Sequence, residues 1–386
     1  MEKVILAYSG GLDTCVSIRW LRDKGYDVLA LLADLGQKAN FELLKKRAIS
    51  AGAKKVYVSD LKKEFVQDFI LPSLKAEAVY EDYLLATALG RPLIAKEVVK
   101  IAHKERARYV AHGCTGRGND QVRFELSYKM LDPRLKIIAP LREWEFNSRE
   151  EEIEYAKKNG ITLDFKKSVY SIDENLWGVS IECGELEDPY NEPSANAWQI
   201  SAPREISRPT YLEIYFDRGI PTDLNNKKID TQELIVRLNK IGGKYAIGRK
   251  DLIEDRIVGI KSRELYEAPA AEILYEAHHA LESLILDKQT LNFKHLISLK
   301  YGELIYGGLW FCPLREALSR FVDFTQEKVQ GSVRIKLSPG NCEIVGRKSR
   351  YALYKKELAT YGKDSEFNQK AAEGFIKILG MPYQNR

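Results

Sequence analysis

Cysteine is scarce in this sequence, and its few cysteines are not arranged in pairs. Five occur among 386 residues, at positions 15, 114, 183, 312 and 342, with no C-x-x-C spacing. An odd number of widely separated cysteines does not support a disulfide framework or a zinc site. We therefore expect reduced thiols in a cytoplasmic protein without a structural metal.

Long apolar runs and a large excess of one charge are also absent. No apolar stretch reaches the ~18 residues needed to cross a bilayer, and no signal peptide is visible, so no membrane partner is expected. The 60 basic and 55 acidic residues are interspersed and leave a formal net charge of +5. This charge gives little support to nucleic-acid binding, because a cleft for anionic substrates or a solvated surface would account for it equally well.

The pattern of residues 1–167 predicts a nucleotide-binding domain of the α/β class. Short β-rich apolar runs alternate there with amphipathic stretches of helical period. The runs predict strands at Val4–Ala7, Val28–Ala33, Val56–Val58, Tyr109–Ala111 and Ile137–Ala139; the stretches predict helices such as Phe41–Ala51, Leu93–His103 and one capped by Ser148 and Glu151. This alternation is typical of a doubly wound parallel sheet, which binds its ligand at the carboxyl ends of the strands.

Residues 168–361 have a different pattern, which predicts an α+β synthetase domain. Asp188–Thr210 contains four prolines and reads as a long ordered loop. After it, strands are expected at Leu212–Phe216 and Arg256–Lys261, helices at Thr231–Ile241, Ala270–Leu286 and Leu314–Phe324, and a hairpin at Val333–Gly346 that turns through Ser338–Asn341.

The last segment, residues 362–386, predicts a polar linker, Gly362–Lys370, and an amphipathic helix, Ala371–Leu379. A short terminal helix is stable only where its apolar face docks. We expect it to be an oligomerisation helix that packs on a neighbouring subunit, with docking on its own subunit as the alternative.

The most informative motif lies near the N-terminus. Residues Ala7–Cys15, AYSGGLDTC, follow a strand-like run and lead into a stretch with helical spacing. Two adjacent glycines permit a tight turn, and the start of a helix offers unpaired N–H groups and a partial positive charge. The motif lacks the lysine of a Walker A loop. It predicts a phosphate-binding strand, turn and helix, with an ordinary turn between strand and helix as the alternative.

A second motif, HGCTGRGNDQVR, occupies residues 112–123 and follows a predicted strand. Its glycines allow successive N–H groups to converge on an anion. Asn119 and Asp120 suit an ammonium or hydroxyl group, and Arg123 lies on the same helical face as Asp120, where its guanidinium can bind a carboxylate through two hydrogen bonds. A glycine-rich surface loop is the alternative, and His112 is expected to bond to its own loop.

Both motifs resemble signatures of known enzymes. SGGLDT resembles the loop of the PP-loop ATP pyrophosphatases, which cleave ATP to AMP and pyrophosphate, except that Cys15 replaces the usual serine. HGCTGRGNDQVRFE, with further stretches around Tyr83, from Tyr170 to Ser180 and from Ile253 to Glu267, resembles the argininosuccinate synthase family over essentially the whole chain. The resemblance implies a cytoplasmic, homotetrameric ligase of arginine biosynthesis. Such an enzyme uses ATP and Mg²⁺ to condense L-citrulline with L-aspartate through a citrullyl-adenylate, and it releases AMP and pyrophosphate.

The resemblance also implies roles for particular residues. The implied catalytic residues are Ser9, Asp13 and Asp120. ATP would be bound by Ala7, Tyr8, Ser9, Gly10, Gly11, Leu12, Asp13, Thr14, Cys15, Ala33 and Gly113. Aspartate would be bound by Thr115, Asn119 and Asp120, and citrulline by Tyr83, Asn119, Arg123, Ser171, Ser180, Glu254 and Tyr266. Cys15 is expected to contact ATP through its backbone, because a thiol is a weak donor.

Several of these residues also have simpler interpretations. Tyr83 and Tyr266 could be core aromatics, Ser171 and Ser180 turn or strand hydroxyls, and Glu254 a surface carboxylate. Two other functions also remain open, an ATP-binding regulatory protein and a tRNA-modifying PP-loop enzyme. The second usually has a basic surface and paired cysteines, which this chain lacks.

Overall fold

A five-stranded parallel sheet forms the first part of the fold. The structure, a computed structural model, describes residues 1–146, 148–161, 169–201 and 208–384. The strands are β1 (Lys3–Ala7), β2 (Asp27–Asp34), β3 (Lys55–Asp60), β4 (Tyr109–His112) and β5 (Lys136–Ile138), in the spatial order β3-β2-β1-β4-β5. The helices are α1 (Leu12–Asp23), α2 (Phe41–Ala51), α3 (Lys62–Glu64), α4 (Leu71–Ala76), α5 (Ala86–Glu105), α6 (Asp120–Leu131), α7 (Pro140–Glu143) and α8 (Arg149–Lys158). A π-helical turn, Phe65–Ile70, joins α3 to α4.

Helices cover both faces of this sheet, because successive side chains of a strand point to opposite sides. In β1, Val4 and Leu6 belong to a buried cluster with residues of α1, α2 and α8, whereas Ile5 and Ala7 belong to another with residues of α5 and α6. Each buried aliphatic side chain contributes roughly 1.5–3 kcal/mol. The predicted α/β class and doubly wound sheet are thereby confirmed, as is the Ser148 cap, whose hydroxyl accepts a hydrogen bond from the Glu151 N–H.

Two antiparallel sheets and four long helices form the second part. The strands are β6 (Ser171–Asn175), β7 (Gly178–Glu182), β8 (Thr210–Asp217), β9 (Ile220–Leu224), β10 (Lys227–Lys228), β11 (Arg249–Asp255), β12 (Lys261–Glu267), β13 (Gly331–Ser338) and β14 (Asn341–Lys348). One sheet has the order β11-β12-β7-β6 and the other β10-β9-β8-β13-β14. The long helices are α9 (Thr231–Lys244), α10 (Pro269–Ile285), α11 (Lys288–Tyr306) and α12 (Pro313–Gln326). The expected hairpin is β13 and β14.

The strand predicted at Arg256–Lys261 is wrong. Residues 256–260 form the turn between β11 and β12, in which the Arg256 N–H donates to the Ile260 carbonyl at 2.9 Å. Gly259 takes a φ of +83°, which is suited to a turn. The apolar residues Ile257, Val258 and Ile260 suggested a strand, but each is more than a third exposed.

Helix α11, 19 residues long, was not predicted. Its inner face carries polar or small residues, including the fully buried Lys294 as well as Ser298 and Gly302. These positions interrupt the apolar repeat by which an amphipathic helix is recognised. Its sequence therefore does not show the burial that tertiary contacts produce.

The chain ends in α13 (Lys356–Ala359), α14 (Gln369–Gly380) and a 3₁₀ turn, Met381–Tyr383. Helix α14 contains the predicted amphipathic segment, and no residue of it is buried. Of the predicted loop 188–210, residues 202–207 lie outside the described part, as does the predicted domain boundary between residues 167 and 168. Among the described residues, no helix combines the length and apolar character that crossing a membrane requires.

Candidate active site

A cleft of about 650 Å³ lies between the parallel sheet and the β11-β12-β7-β6 sheet. It includes the carboxyl ends of β1 and β4, where the fold predicts a ligand. Most of the predicted site residues line it: Ala7, Tyr8, Ser9, Asp13, Thr14, Ala33, Tyr83, Gly113, Thr115, Asn119, Asp120, Arg123, Ser171, Ser180, Glu254 and Tyr266. Residues far apart in sequence thus meet around one cavity.

The turn between β1 and α1 has the form of an anion-binding loop. Gly10 has a φ of +87°, and α1 begins at Leu12 after Gly11, so the first N–H groups of the helix have no partner within it. The Ser9 and Thr14 hydroxyls lie 3.2 Å apart, at the entrance to the helix. Hydroxyl groups and unpaired amides at a helix N-terminus are suited to phosphate oxygens.

Four predicted ATP-site residues, Gly10, Gly11, Leu12 and Cys15, do not line the cleft. The Cys15 thiol is buried and lies 3.1 Å from the Tyr8 hydroxyl, and its N–H donates to the Gly11 carbonyl at 3.0 Å. The backbone N–H through which a contact was expected is therefore already used. The Cys15 side chain packs in the hydrophobic core beneath the loop and not in the cleft.

Asp13 forms a pair of neighbouring, interacting acidic groups with Glu152 of α8. Burial raises the pKa of the Asp13 carboxyl, while Arg149 acts in the opposite direction. Burial and the neighbouring Asp13 raise the pKa of Glu152 to about 8. Two partly buried carboxyls beside a phosphate loop are a set of oxygen donors that suits a divalent cation.

Stacked tyrosines form the opposite wall of the cleft. The rings of Tyr83 and Tyr266 stack with centroids 3.9 Å apart, and both side chains are almost fully buried. The Tyr83 hydroxyl accepts hydrogen bonds from the N–H groups of Thr87 and Ala88 at the start of α5, at 2.7 and 3.3 Å. Both rings are thus core aromatics that also reach the cleft.

Glu254 is the buried carboxylate of this wall, so its interpretation as a surface residue is wrong. It is 1% exposed and accepts hydrogen bonds from the phenols of Tyr266 at 2.7 Å and Tyr306 at 2.8 Å. Burial, with the nearby Glu264 adding to it, raises its pKa to about 7. Such a carboxylate can bind an ammonium group strongly, because it is held away from bulk water.

Asn119 connects this wall to the loop after β4. Its amide nitrogen donates to the Tyr306 hydroxyl at 2.8 Å and, at 3.4 Å, to Glu254, and its amide oxygen accepts the Ile257 N–H at 2.9 Å. The side chain thereby fixes the turn at residues 256–260 against the cleft.

Arg123 is buried, and part of its hydrogen-bonding capacity is already used. Its Nε donates to the Tyr306 carbonyl at 3.0 Å, one terminal nitrogen donates to Asp120 at 2.9 Å, and the guanidinium lies over the Tyr306 ring. The predicted common face of Asp120 and Arg123 is confirmed.

The remaining predicted polar residues surround these groups. Ser180 lies within the sheet, with its hydroxyl 3.0 Å from that of Thr87. Ser171 and Thr115 are exposed at the rim of the cleft. His112 accepts the Cys114 N–H at 3.2 Å, as expected for a histidine that bonds to its own loop.

Two family models together span almost the whole chain. The one described as arginosuccinate synthase N-terminal HUP domain matches residues 3–162, and the one described as arginosuccinate synthase C-terminal domain matches residues 170–385. The chain belongs to the argininosuccinate synthase family. Curated relatives of the same family align with this chain over almost their whole length. The argininosuccinate synthases of Carboxydothermus hydrogenoformans and Caldanaerobacter subterraneus are 55% and 53% identical over 100% of this chain, and that of Dictyoglomus thermophilum is 56% identical over 98% of it. These alignments cover 97%, 95% and 96% of the relatives.

As a member of this family, the chain is a carbon–nitrogen ligase of arginine biosynthesis that condenses citrulline with aspartate at the expense of ATP. A solved 4-thiouridine synthetase with bound RNA and ATP is also similar, at 19% identity over 42% of this chain. Its TM-score is 0.32, too low to support an argument about this chain.

Sequence reasoning missed two arginines of the synthase cleft. Arg91 of α5 donates to Asp120 at 2.8 Å and pairs with Asp173 of β6. Arg256 pairs with Glu182 and, at 3.0 Å, with Glu264. Burial alone would raise the pKa of Asp120, but Arg91 and Arg123 outweigh it, and the pKa lies below its usual value.

The synthase loop after β4 packs directly on the phosphate loop. A Cβ at Gly113 would lie 2.5 Å from Thr14 Cγ2, so Gly113→Ala should displace Thr14. We expect kcat/KM for ATP to fall about tenfold or more, because small displacements of binding groups are costly. In the control Gly116→Ala, the new Cβ would meet nothing closer than 3.7 Å. Equal values of kcat/KM in the two variants would contradict this packing argument.

Proposed function

We propose that this single cleft binds ATP, citrulline and aspartate together, each at a separate group of residues. The pyrophosphate end of ATP lies at Ser9–Thr14, with the adenosine beside Ala7, Tyr8, Ala33 and Gly113. The observation that carries the proposal is that one cavity contains both the phosphate loop and the oppositely charged pair Glu254 and Arg123.

Citrulline requires a site for an ammonium and a site for a carboxylate, since neither charge can be buried alone. We assign its ammonium to Glu254, supported by the phenols of Tyr266 and Tyr306. We assign its carboxylate to the remaining donors of Arg123 and to the hydroxyls of Ser171 and Ser180. Tyr83 and Asn119 hold the surrounding wall in place.

Aspartate is assigned to the rim, at Thr115, Asn119 and Asp120. Its ammonium fits Asp120, and Arg91, which already bonds to Asp120, can turn toward one of its two carboxylates. Arg91 pairs with both Asp120 and Asp173, so an exchange of partners can free its guanidinium for a substrate carboxylate.

The two chemical steps follow from this arrangement. The ureido oxygen of citrulline attacks the α-phosphorus, and pyrophosphate leaves toward α1. The aspartate ammonium then gives a proton to the adenylate phosphate, and the resulting amine attacks the ureido carbon and expels AMP. Both steps place negative charge on phosphate oxygens, which the loop amides and the Ser9 and Thr14 hydroxyls stabilise. Substrate alignment supplies a further share of the rate.

Magnesium fits the carboxylate of Asp13, with Glu152 beside it, because Mg²⁺ prefers oxygen ligands. When bound there, the ion would neutralise part of the charge on the departing pyrophosphate. Asp13 itself would orient the ion at the first turn of α1. No general base is assigned, since the His112 ring bonds to its own loop and to Glu125.

The reaction is tested by following pyrophosphate release. We expect release with ATP and citrulline together, and argininosuccinate formation only after aspartate is added. Pyrophosphate release that requires tRNA would instead favour a tRNA-modifying enzyme. Tight ATP binding without turnover would favour a regulatory protein.

Arg123→Lys tests the citrulline site. Lysine cannot reproduce the planar fork that reaches Tyr306, Asp120 and a substrate carboxylate at once, so we expect KM for citrulline to rise about tenfold. Arg117→Lys, an exposed position of the same loop, should leave KM unchanged. An unchanged citrulline KM in Arg123→Lys, with the melting temperature preserved, would refute the assignment.

We also propose that residues 362–386 form an oligomerisation segment of a homotetramer, with domains at 1–167 and 168–361. The apolar face of α14 supports this proposal: Phe375, Ile376, Ile378 and Leu379 are each 59–71% exposed. An exposed apolar helix face of this kind marks an interaction surface. The reduced state of the five cysteines, which are all unpaired, supports a cytoplasmic location.

Removal of residues 363–386 should therefore shift the protein to smaller assemblies in light scattering. The double variant Phe375→Glu, Ile378→Glu should have the same effect at full length, because charge on the apolar face opposes its burial. A full-size oligomer in both variants would show that α14 is not the subunit contact.

A further inference from the structure

Three of the five histidines of the chain lie near one glutamate, Glu77. His278 and His279 are consecutive residues of α10, His295 belongs to α11, and Glu77 follows α4. None of these four residues lines the substrate cleft. The proposed reaction therefore does not account for this cluster.

Glu77 is held in place from several sides. Its side chain is 10% exposed, and its two carboxylate oxygens lie 3.1 Å from His278 Nδ1 and 3.2 Å from His279 Nδ1. The Lys294 ammonium lies 3.8 Å from the same carboxylate. The Glu77 carboxylate is thus fixed between these side chains.

The inner part of the cluster already holds a cation. Glu77, His278 and Glu282 lie close enough together to bind a metal ion. However, the buried ammonium of Lys294 lies 2.8 Å from Glu282 and 3.8 Å from Glu77. His278 Nε2 also lies 2.8 Å from the amide oxygen of Gln326. Lysine neutralises this group, so a metal ion is not expected there.

The outer part of the cluster is open to solvent. One ligand atom from each of Glu77, His279 and His295 lies within 4.8 Å of the other two. The imidazole rings have centroids 5.6 Å apart, and the His279 side chain is 49% exposed. Ligands of a tetrahedral ion with bonds near 2.05 Å are about 3.4 Å apart, which the 3.2 Å contact between Glu77 and His279 already approaches. Rotation of the two exposed imidazoles would bring the remaining ligand atoms to this separation.

We propose that Glu77, His279 and His295 bind a divalent transition-metal ion of the Zn²⁺, Co²⁺ or Ni²⁺ type. Two imidazole nitrogens and one carboxylate oxygen favour these ions over Mg²⁺, which prefers oxygen ligands. Water completes the coordination on the exposed side. The ion connects α10, α11 and the residue that follows α4, and it thereby stabilises the packing of three elements.

The proposed metal site is also connected to the tyrosine wall of the cleft, to which citrulline is assigned. Glu77 precedes Tyr80 and Tyr83 by three and six residues, and Tyr80 stacks on Tyr306, the last residue of α11, with centroids 3.7 Å apart. The metal site and the wall therefore share both a chain segment and a helix.

The test is a Co²⁺ titration of full-length, tag-free protein that has been stripped with a chelator and contains no nucleotide. We expect saturable binding of one ion per chain at this site, seen as visible absorption. His279→Ala and His295→Ala should each weaken it about tenfold or more. Both residues are exposed, so these variants should fold. His103→Ala, an exposed histidine outside the cluster, and Asp13→Asn, at the phosphate loop, should leave this binding unchanged.

Thermal unfolding provides a second measurement. Zn²⁺ should raise the melting temperature of the wild type and of His103→Ala, but not that of His295→Ala, because an ion that binds the folded state stabilises it. Equal Co²⁺ affinity in the wild type and His295→Ala would overturn the proposal. So would the absence of saturable binding in the wild type, or its loss in Asp13→Asn.

Discussion

Asp13→Asn should lower turnover about 100- to 1000-fold, the range typical for removal of one preorganised electrostatic group. Asp13 lines the cleft in the first turn of α1, where the proposed function places the departing pyrophosphate. Asparagine keeps the shape but loses the charge that would orient Mg²⁺ in the proposed function. The measurement is kcat for argininosuccinate formation at saturating substrates.

Folding stability should not fall in this variant. Asp13 is a partly buried carboxyl beside Glu152, and burial raises the pKa of both groups, so one charge fewer relieves repulsion between them. Asp23→Asn is the matched control, because Asp23 is an exposed carboxylate at the other end of α1 and does not line the cleft. It should retain most of the turnover. An unchanged rate in Asp13→Asn would remove this residue from the mechanism.

Glu254→Gln should lower kcat/KM for citrulline about 100-fold, because the loss of one partner from a buried charge pair costs roughly 2–5 kcal/mol. KM for ATP should stay nearly constant. Tyr306→Phe is the matched control, since it keeps the carboxylate and removes one of its two phenol donors. It should cost about tenfold. Equal losses in both variants would contradict a role for the negative charge.

The pH dependence of Glu254 provides a further check on the same prediction. Its pKa is raised to about 7 in the folded protein, so in the wild type kcat/KM for citrulline should fall as the pH decreases through 7. The folded state holds this proton more tightly than the unfolded state. The stability from Glu254 is therefore present below about pH 4.3 and is lost as the pH rises through 7. The melting temperature of Glu254→Gln minus that of the wild type should accordingly be larger at pH 8 than at pH 4.

The parallel sheet and its binding edge could be predicted from local sequence. The strands of the sheet are apolar runs with β-branched residues, and α2 coincides with the predicted Phe41–Ala51. Two motifs located the loops after β1 and β4, because glycine and capping residues act over a few positions. The two loops could be expected to lie close together because both follow the carboxyl ends of strands in a parallel sheet.

Other features depend on contacts between distant residues. Arg91 lies in the stretch around Tyr83 that carries the family resemblance, but its role depends on Asp120, 29 positions away. Helix α11 buries Lys294 because Glu77 and Glu282 come from other elements. In the turn between β11 and β12, the Ile257 N–H finds its partner in Asn119, 138 positions away. Such features require tertiary structure, because nothing near them in sequence supplies the partner.

The N-terminal loop should bind the leaving pyrophosphate in the same cavity in which citrulline is activated. A crystal structure with citrulline and a non-hydrolysable ATP analogue tests it directly. We expect the β- and γ-phosphates to contact the N–H groups at the start of α1 and the hydroxyls of Ser9 and Thr14, while the ureido oxygen faces the α-phosphorus. A triphosphate bound elsewhere, with the Ser9–Thr14 loop occupied by water, would contradict it.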